Sequence, residues 1–282
     1  MTGLAFWKMQ SVGNAFVLVH GADVSEDELA ELAVRTGAQH FGVGSDGLLA
    51  VWRDGANLRM RMFNTDGSED FCGNGLRCAA RHCHDLGWVG DRFEISHHGR
   101  SVAVEMRSGG LIRTVSGHCS YRPSDVPTSL GSEAFDLDPI TLGPPKYRGS
   151  ALTTGSTHLV LQAESAPGDE EVFSLGPMLE HDARFPERTS VIWAWEEGPM
   201  ALGIRIWERG VGETLGCGTG SSAAAVDYTR RRGVSGSVSV RNPGGTLSVF
   251  AERWDGEICV DGTASEVFRG VLPVGVAVGS RD

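Results

Sequence analysis

Apolar residues along the chain come in short runs of strand length, each entered through a glycine turn. Gly13-Asn14-Ala15-Phe16 leads into Val17-Leu18-Val19, and Leu48-Leu49-Ala50-Val51-Trp52 follows the glycine-rich stretch Gly42–Gly47. Both read as short strands. Between them, SEDELAELAVRTG has its apolar residues at helical spacing, with Ser25 as N-cap and Glu28 placed to complete a capping box. Met60-Arg61-Met62-Phe63-Asn64 alternates in the manner of a strand. FCGNGLRCAARHC, residues 71–83, then opens a helix on a cysteine turn.

The same order returns. Gly155-Ser156-Thr157-His158 leads into Leu159-Val160-Leu161, Ile204-Arg205-Ile206-Trp207-Glu208 answers the alternating strand, and LGCGTGSSAAAV (215–226) opens an Ala-rich helix. The offsets are 142, 144 and 145 residues, and setting Cys72 on Cys217 also sets Gly73 on Gly218, Gly75 on Gly220, Ala79 on Ala224 and Ala80 on Ala225. The chain is therefore read as a duplication of two α/β halves. A stretch rich in Pro, Gly and Ser around 120–150 has little periodicity and marks the boundary. The expected halves are 1–125 and 126–266, with the tail at about 267–282 rejoining the first.

Composition removes several classes of function. At 282 residues, 40% hydrophobic and 22% charged, the chain is an ordinary soluble globular protein. Its apolar runs all fall short of the ~18 residues of a membrane span, and its start has no export pattern, so no membrane partner and a cytoplasmic address are expected. A formal charge of −11 argues against nucleic acid. The basic run Arg230–Arg232 suits the last turn of a helix ending at Gly233.

Six cysteines in a reducing compartment point to catalysis or metal binding before disulfides. Cys78 in a helix and Cys259 in a strand read as small buried hydrophobes, and Cys119 carries no signal. Cys72, Cys78 and Cys83, with His82 and His84, lack the close pairing of a zinc knuckle, so no metal is expected. Gly42–Gly47 matches a dinucleotide G-x-G-x-x-G but precedes a strand where that fold needs a helix. Pyridoxal phosphate requires a lysine. The chain has only Lys8 and Lys146, in strand-like and loop-like surroundings, so no cofactor is expected.

A glycine turn entering a helix offers free backbone N–H groups and the positive end of the helix dipole, which together bind a carboxylate. A cysteine there has its thiolate favoured. Two such turns facing each other would hold one carboxylate and place a sulfur on either side of the adjacent carbon. One thiolate could then remove the α-proton while the opposite thiol supplied one to the other face.

GVGSDGLL, FNTDGSE, CGNGLRC, FPERTSV and IWERGVGETLGCGTG, in order along nearly the whole chain, resemble the diaminopimelate epimerase family. The resemblance implies two pseudo-symmetric α/β domains, each a mixed sheet wrapped around a central helix, with the active site in the cleft between them. It implies cofactor-independent isomerisation of a small amino-acid substrate, in a homodimer. Cys72 and Cys217 would be the acid/base pair, and His158 and Glu208 their polar partners. Gly73, Asn74, Gly75, Gly218 and Thr219 would receive the reacting carboxylate, and Asn14, Asn64 and Arg209 the rest of the substrate. Ser156 and Ser190 stand where the family usually has asparagine, at the end of the site that holds the substrate's distal group. Reaction type is thus better specified than substrate: meso/LL-diaminopimelate is expected, with another amino acid as the alternative; a cyclic proline-like substrate has no distal head group and would leave Arg209 without a role. A redox or zinc protein built on Cys72, Cys78 and Cys83 is the reading from a different class.

Overall fold

The computed structural model of the protein describes residues 3–130, 137–140 and 147–273. The chain forms two compact units. One gathers the residues up to Thr114 with a return segment from Gly262, and the other runs Val115–Asp261.

In the first unit, β1 (Leu4–Ser11) turns through Val12-Gly13 into β2 (Asn14–His20). Both turn residues have positive φ, 52° and 83°, the pair that a tight two-residue hairpin requires. There follow α1 (Leu29–Gly37), β3 (Gly47–Asp54), β4 (Asn57–Asn64), α2 (Gly73–Asp85), β5 (Arg92–His97), β6 (Arg100–Met106) and β7 (Ile112–His118). Pairing runs β1 to β7 in chain order, antiparallel except for the parallel pairs β2–β3 and β4–β5.

The second unit repeats this plan. Its elements are β8 (Leu137–Ile140), β9 (Tyr147–Thr153), β10 (Thr157–Gln162), α3 (Asp169–Glu180), β11 (Ser190–Gly198), β12 (Ala201–Glu208), β13 (Gly212–Thr214), α4 (Gly218–Arg232), β14 (Gly236–Asn242), β15 (Gly245–Ala251) and β16 (Glu257–Gly262). β10–β11 and β12–β14 are the parallel pairs, and the neighbours from β8 to β16 are otherwise antiparallel. Strand for strand, the sense of pairing matches the first unit. β17 (Ser265–Leu272) closes the first unit by pairing antiparallel with β1.

The apolar runs are continuous because both faces of these strands are covered. Phe16 and Leu18 of β2 pack with Leu76, Ala79 and Ala80 of α2, whereas Val17 and Val19 pack with Leu29, Leu32 and Ala33 of α1. In the second unit Leu159 and Leu161 lie with Val172, Leu175 and Leu179 of α3. Each fully buried aliphatic side chain contributes about 1.5–3 kcal/mol, so covering both faces is a large part of what holds each sheet. α2 meets β1 to β4 and β17; α4 meets β9 to β12, β14 and β15, so each sheet curls about one helix. α4 ends at Gly233, left-handed at φ 63°, with Arg230–Arg232 in its last turn.

The expected capping box does not form. Residues Glu26–Glu28 make a 3-10 turn before α1, and Glu28 N–H donates to the Ser25 carbonyl at 3.0 Å rather than to its hydroxyl. Glu26 is drawn outward instead, paired with Arg59 and Arg61 at 2.6 and 3.0 Å. Among the described residues no helix is long and apolar enough to cross a membrane.

Candidate active site

The two cysteine turns share one construction. Cys72 and Cys217 are extended, at φ/ψ −138°/109° and −133°/123°, and each is the N-cap of its helix. Each Sγ accepts from the backbone N–H three residues on, Gly75 at 3.3 Å and Gly220 at 3.4 Å. This leaves the first N–H groups of each helix, at Gly73 and Asn74 and at Gly218 and Thr219, outside the intrahelical ladder. Glycine recurs because the helix lies close on its sheet at that residue. A Cβ on Gly75 would stand 2.8 Å from Leu49 Cδ2, and one on Gly220 2.6 Å from Ile206 Cδ1.

In the first unit, Asn74 donates through Nδ2 to Asn14 Oδ1 and accepts from buried Arg77. Arg77 also donates to Ser11 Oγ at 3.1 Å, and Ser11 donates to the Thr263 carbonyl at 2.8 Å. Asn14 is thereby fixed beside the turn. Asn64 lies at the same end of the sheet, its neighbour across the register being Gly47, which in turn pairs with Phe16. Its amide donates to Ser68 Oγ at 3.1 Å and braces the Thr65–Ser68 turn. The Gly42–Gly47 loop is anchored by Lys8, whose buried ammonium donates to the Gly44 carbonyl, and by Asp46, which accepts from Ala15 N–H at 2.7 Å. Lys146 lies outside the described residues.

In the second unit the remaining candidates converge around Cys217. Sγ is 3.3 Å from Thr219 Oγ1, with the Glu208 carboxylate beside it. Ser156 Oγ lies 3.4 Å from both Thr219 Oγ1 and His158 Nε2. Ser190, opposite His158 on the parallel pair β10–β11, accepts the Arg209 N–H through Oγ at 3.1 Å. The Arg209 guanidinium donates to the Glu187 carbonyl at 3.0 Å. Burial holds His158 neutral, its pKa lowered to about 4.

The expectation that each turn favours a thiolate needs correction at Cys217. Burial pushes this thiol well above the ordinary range, the Glu208 charge adds to the rise, and the Thr219 hydroxyl and Gly220 N–H oppose it. Desolvation outweighs the helix terminus here. Cys78 is also raised by burial, and Cys83 and Cys119 to about 12. All six cysteines are free thiols, and the described residues contain no group of three or more metal-ligating side chains.

Three residues that the sequence did not single out belong to this architecture. His97, the last residue of β5, accepts the Cys72 N–H at Nε2 (3.1 Å), and Asn242, the last residue of β14, accepts the Cys217 N–H at Oδ1 (3.3 Å). They are separated by the same 145 residues as the cysteines, which was the available signal. Glu180, buried at the end of α3, accepts from Trp207 Nε1 and Gly210 N–H, both at 2.8 Å, and so holds the turn carrying Glu208 and Arg209.

A family model described as diaminopimelate epimerase matches residues 6–119 and 150–267. A diaminopimelate epimerase of Synechococcus sp. (strain JA-3-3Ab) is 36% identical over 280 residues, covering 95% of this chain and 97% of that protein. One from Moorella thermoacetica is 35% identical, covering 95% and 99%. Among solved structures, a Bacillus anthracis phenazine biosynthesis protein of the PhzF family matches with a TM-score of 0.70 at 17% identity, covering 97% of this chain and all of that one. A hydroxyproline epimerase from Agrobacterium vitis matches with a TM-score of 0.64 at 13% identity, covering 95% and 90%. At such identity the structural likeness is one of fold.

Proposed function

We propose that this chain, which belongs to the diaminopimelate epimerase family and is an isomerase, interconverts LL- and meso-diaminopimelate through two thiol groups. The observation that carries the reading is the cysteine N-cap made twice, with the same Sγ contact in each unit. In this reading one sulfur, as thiolate, takes the α-proton. The carbanion so formed is stabilised through its carboxylate by the N–H groups of the two helix starts. The other sulfur, as thiol, gives its proton to the opposite face. The protonation states of the two sulfurs are then exchanged, and proton exchange with solvent restores them.

Both sulfurs must reach one carbon, and each has a role only because the other does. The raised Cys217 thiol suits a proton donor; Glu208 and Thr219 orient it. Arg209 would bind a distal carboxylate with its planar fork. Working as a cytoplasmic homodimer without metal or pyridoxal phosphate is part of the same reading.

A second substrate is favoured by one specific feature: Ser156 and Ser190 are short and turned to Thr219, His158 and Arg209 N–H. Incubating the enzyme with LL-diaminopimelate in D₂O, without added cofactor, decides between these. Deuterium at the inverted centre, read by proton NMR with chiral chromatography of the product, supports the assignment. Exchange of another amino acid instead would keep the chemistry and replace the substrate, and inertness across an amino-acid panel would remove both.

A further inference from the structure

His97 and Asn242 do for the two cysteines the same thing by different chemistry. Each ends a strand immediately before a two-residue hairpin turn, His97 facing Arg100 and Asn242 facing Gly245 in register. Each is almost wholly buried, at 1% and 2% exposure. His97 Nδ1 lies 3.2 Å from the Met60 carbonyl. A carbonyl can only accept, so Nδ1 carries the ring proton and Nε2 offers its lone pair to Cys72 N–H. Asn242 is oriented by donating Nδ2 to the Val240 carbonyl at 3.2 Å, which leaves Oδ1 toward Cys217 N–H. Phe71, the residue before Cys72, stacks on the His97 ring at 5.1 Å.

We infer that His97 and Asn242 are matched positioning residues, each holding its cysteine in the extended conformation that keeps Sγ on the helix N–H and so setting that sulfur's reactivity. The N-cap geometry depends on this bond. A backbone N–H withdrawn from most of the solvent and left without an acceptor turns to find one, and Cys72 cannot turn its backbone without carrying Sγ away from Gly75 N–H. The thiolate then loses the donor and the helix-end field that favour it. The consequence for catalysis rests on the two-thiol reading; the consequence for sulfur reactivity does not.

The test is the rate of Cys72 carbamidomethylation by iodoacetamide at pH 7.5 in the full chain, read by peptide mass spectrometry. Cys72 is half-buried and Cys78 and Cys83 are buried; Cys259, also half-buried, lies on a separate peptide and is read apart. His97→Asn, which installs the acceptor of the other half, should stay within about threefold of the unmodified chain, and His97→Leu should slow about tenfold, the scale of one lost hydrogen bond. With diaminopimelate, kcat should fall for His97→Leu with little change in KM. A folded His97→Leu that reacts at the original rate, or a His97→Asn as slow as His97→Leu, overturns the inference. If His97→Leu does not fold, the ¹⁵N shifts of His97 in the unmodified chain decide: a bare Nε2 is required, and a proton found there excludes it as acceptor. An unmodified chain that inverts no amino acid would remove the two-thiol reading and leave the alkylation comparison standing.

Discussion

The turn at Cys72 and the turn at Cys217 have the same backbone and different electrical surroundings. Cys72 is half-buried, next to the His97 imidazole, a network of neutral amides and Arg77. Cys217 is buried, anchored by an amide that cannot titrate, with a carboxylate and a hydroxyl at its sulfur. Duplication preserved what the backbone does, namely ending a strand, capping a helix and presenting N–H groups. It did not preserve the polar and charged groups around each sulfur. In the two-thiol reading each sulfur is base in one direction of the reaction and acid in the other, so the pair needs a common backbone more than common surroundings.

The sharpest way to break the comparison is to remove one sulfur at a time. Cys72→Ala and Cys217→Ala should each lower epimerisation by at least the ~10²–10⁴-fold of a general acid or base, measured as meso product formed from the LL isomer. Each variant should exchange the α-hydrogen of a different stereoisomer in D₂O. Inversion surviving in either would mean that the two sulfurs do not act on one carbon.

Acid separates the two units next. His82 and His97 in the first unit and His158 in the second have pKa values lowered by burial from 6.5 to about 4. His20 beside His82, and His98 near His97, oppose their protonation further, while Asp85 and the pair Glu69 and Asp70 favour it. Above pH 6.5 these imidazoles are neutral folded or unfolded, and their contribution is complete. As pH falls toward 4 only the unfolded chain takes up the proton, so stability is lost across that window, about 3 kcal/mol for one such histidine, and levels off below it. Once the slower intrinsic exchange at low pH is allowed for, amide protection between pH 7 and 4.5 should therefore fall more in α2 than in α4. Equal loss in both would show that other groups dominate.

The smallest expected effect concerns Glu208. Glu208→Gln removes the charge that helps hold Cys217 protonated, so its alkylation at pH 8.5 should quicken about threefold to tenfold, with Cys72 unaffected. An unchanged rate would leave burial alone as the cause of the raised thiol.

Much of this plan was legible in the chain. The apolar runs entered through glycine turns gave β2, β3 and β10, and the repeated cysteine turn located both helix starts, because local rules govern these features. Other features depend on residues distant in sequence. Cys217 is raised by strands that bury it and by Glu208 on β12, neither of which a helix-terminus rule contains. Ser25 and Glu28 match a capping box, but Arg59 and Arg61 arrive from β4 and claim the neighbouring acid. His97 and Asn242 escaped notice because the repeat conserves an acceptor rather than a residue, and an imidazole aligned with an amide looks like divergence.

The return strand gives the chain a direction in time. Synthesis delivers β1 first, yet β1 obtains its second neighbour only when Ser265–Leu272 has been made. The middle of the chain, Val115–Asp261, is contiguous and can close as soon as it has emerged. Until then β1 presents an open edge able to pair with other chains, and Ser11, which supports Arg77 and through it Asn74, waits for the Thr263 carbonyl. The half translated first is the half completed last: a chain released at residue 260 would contain Asn242, which holds the Cys217 N–H, but would lack Thr263, whose carbonyl closes the Cys72 side.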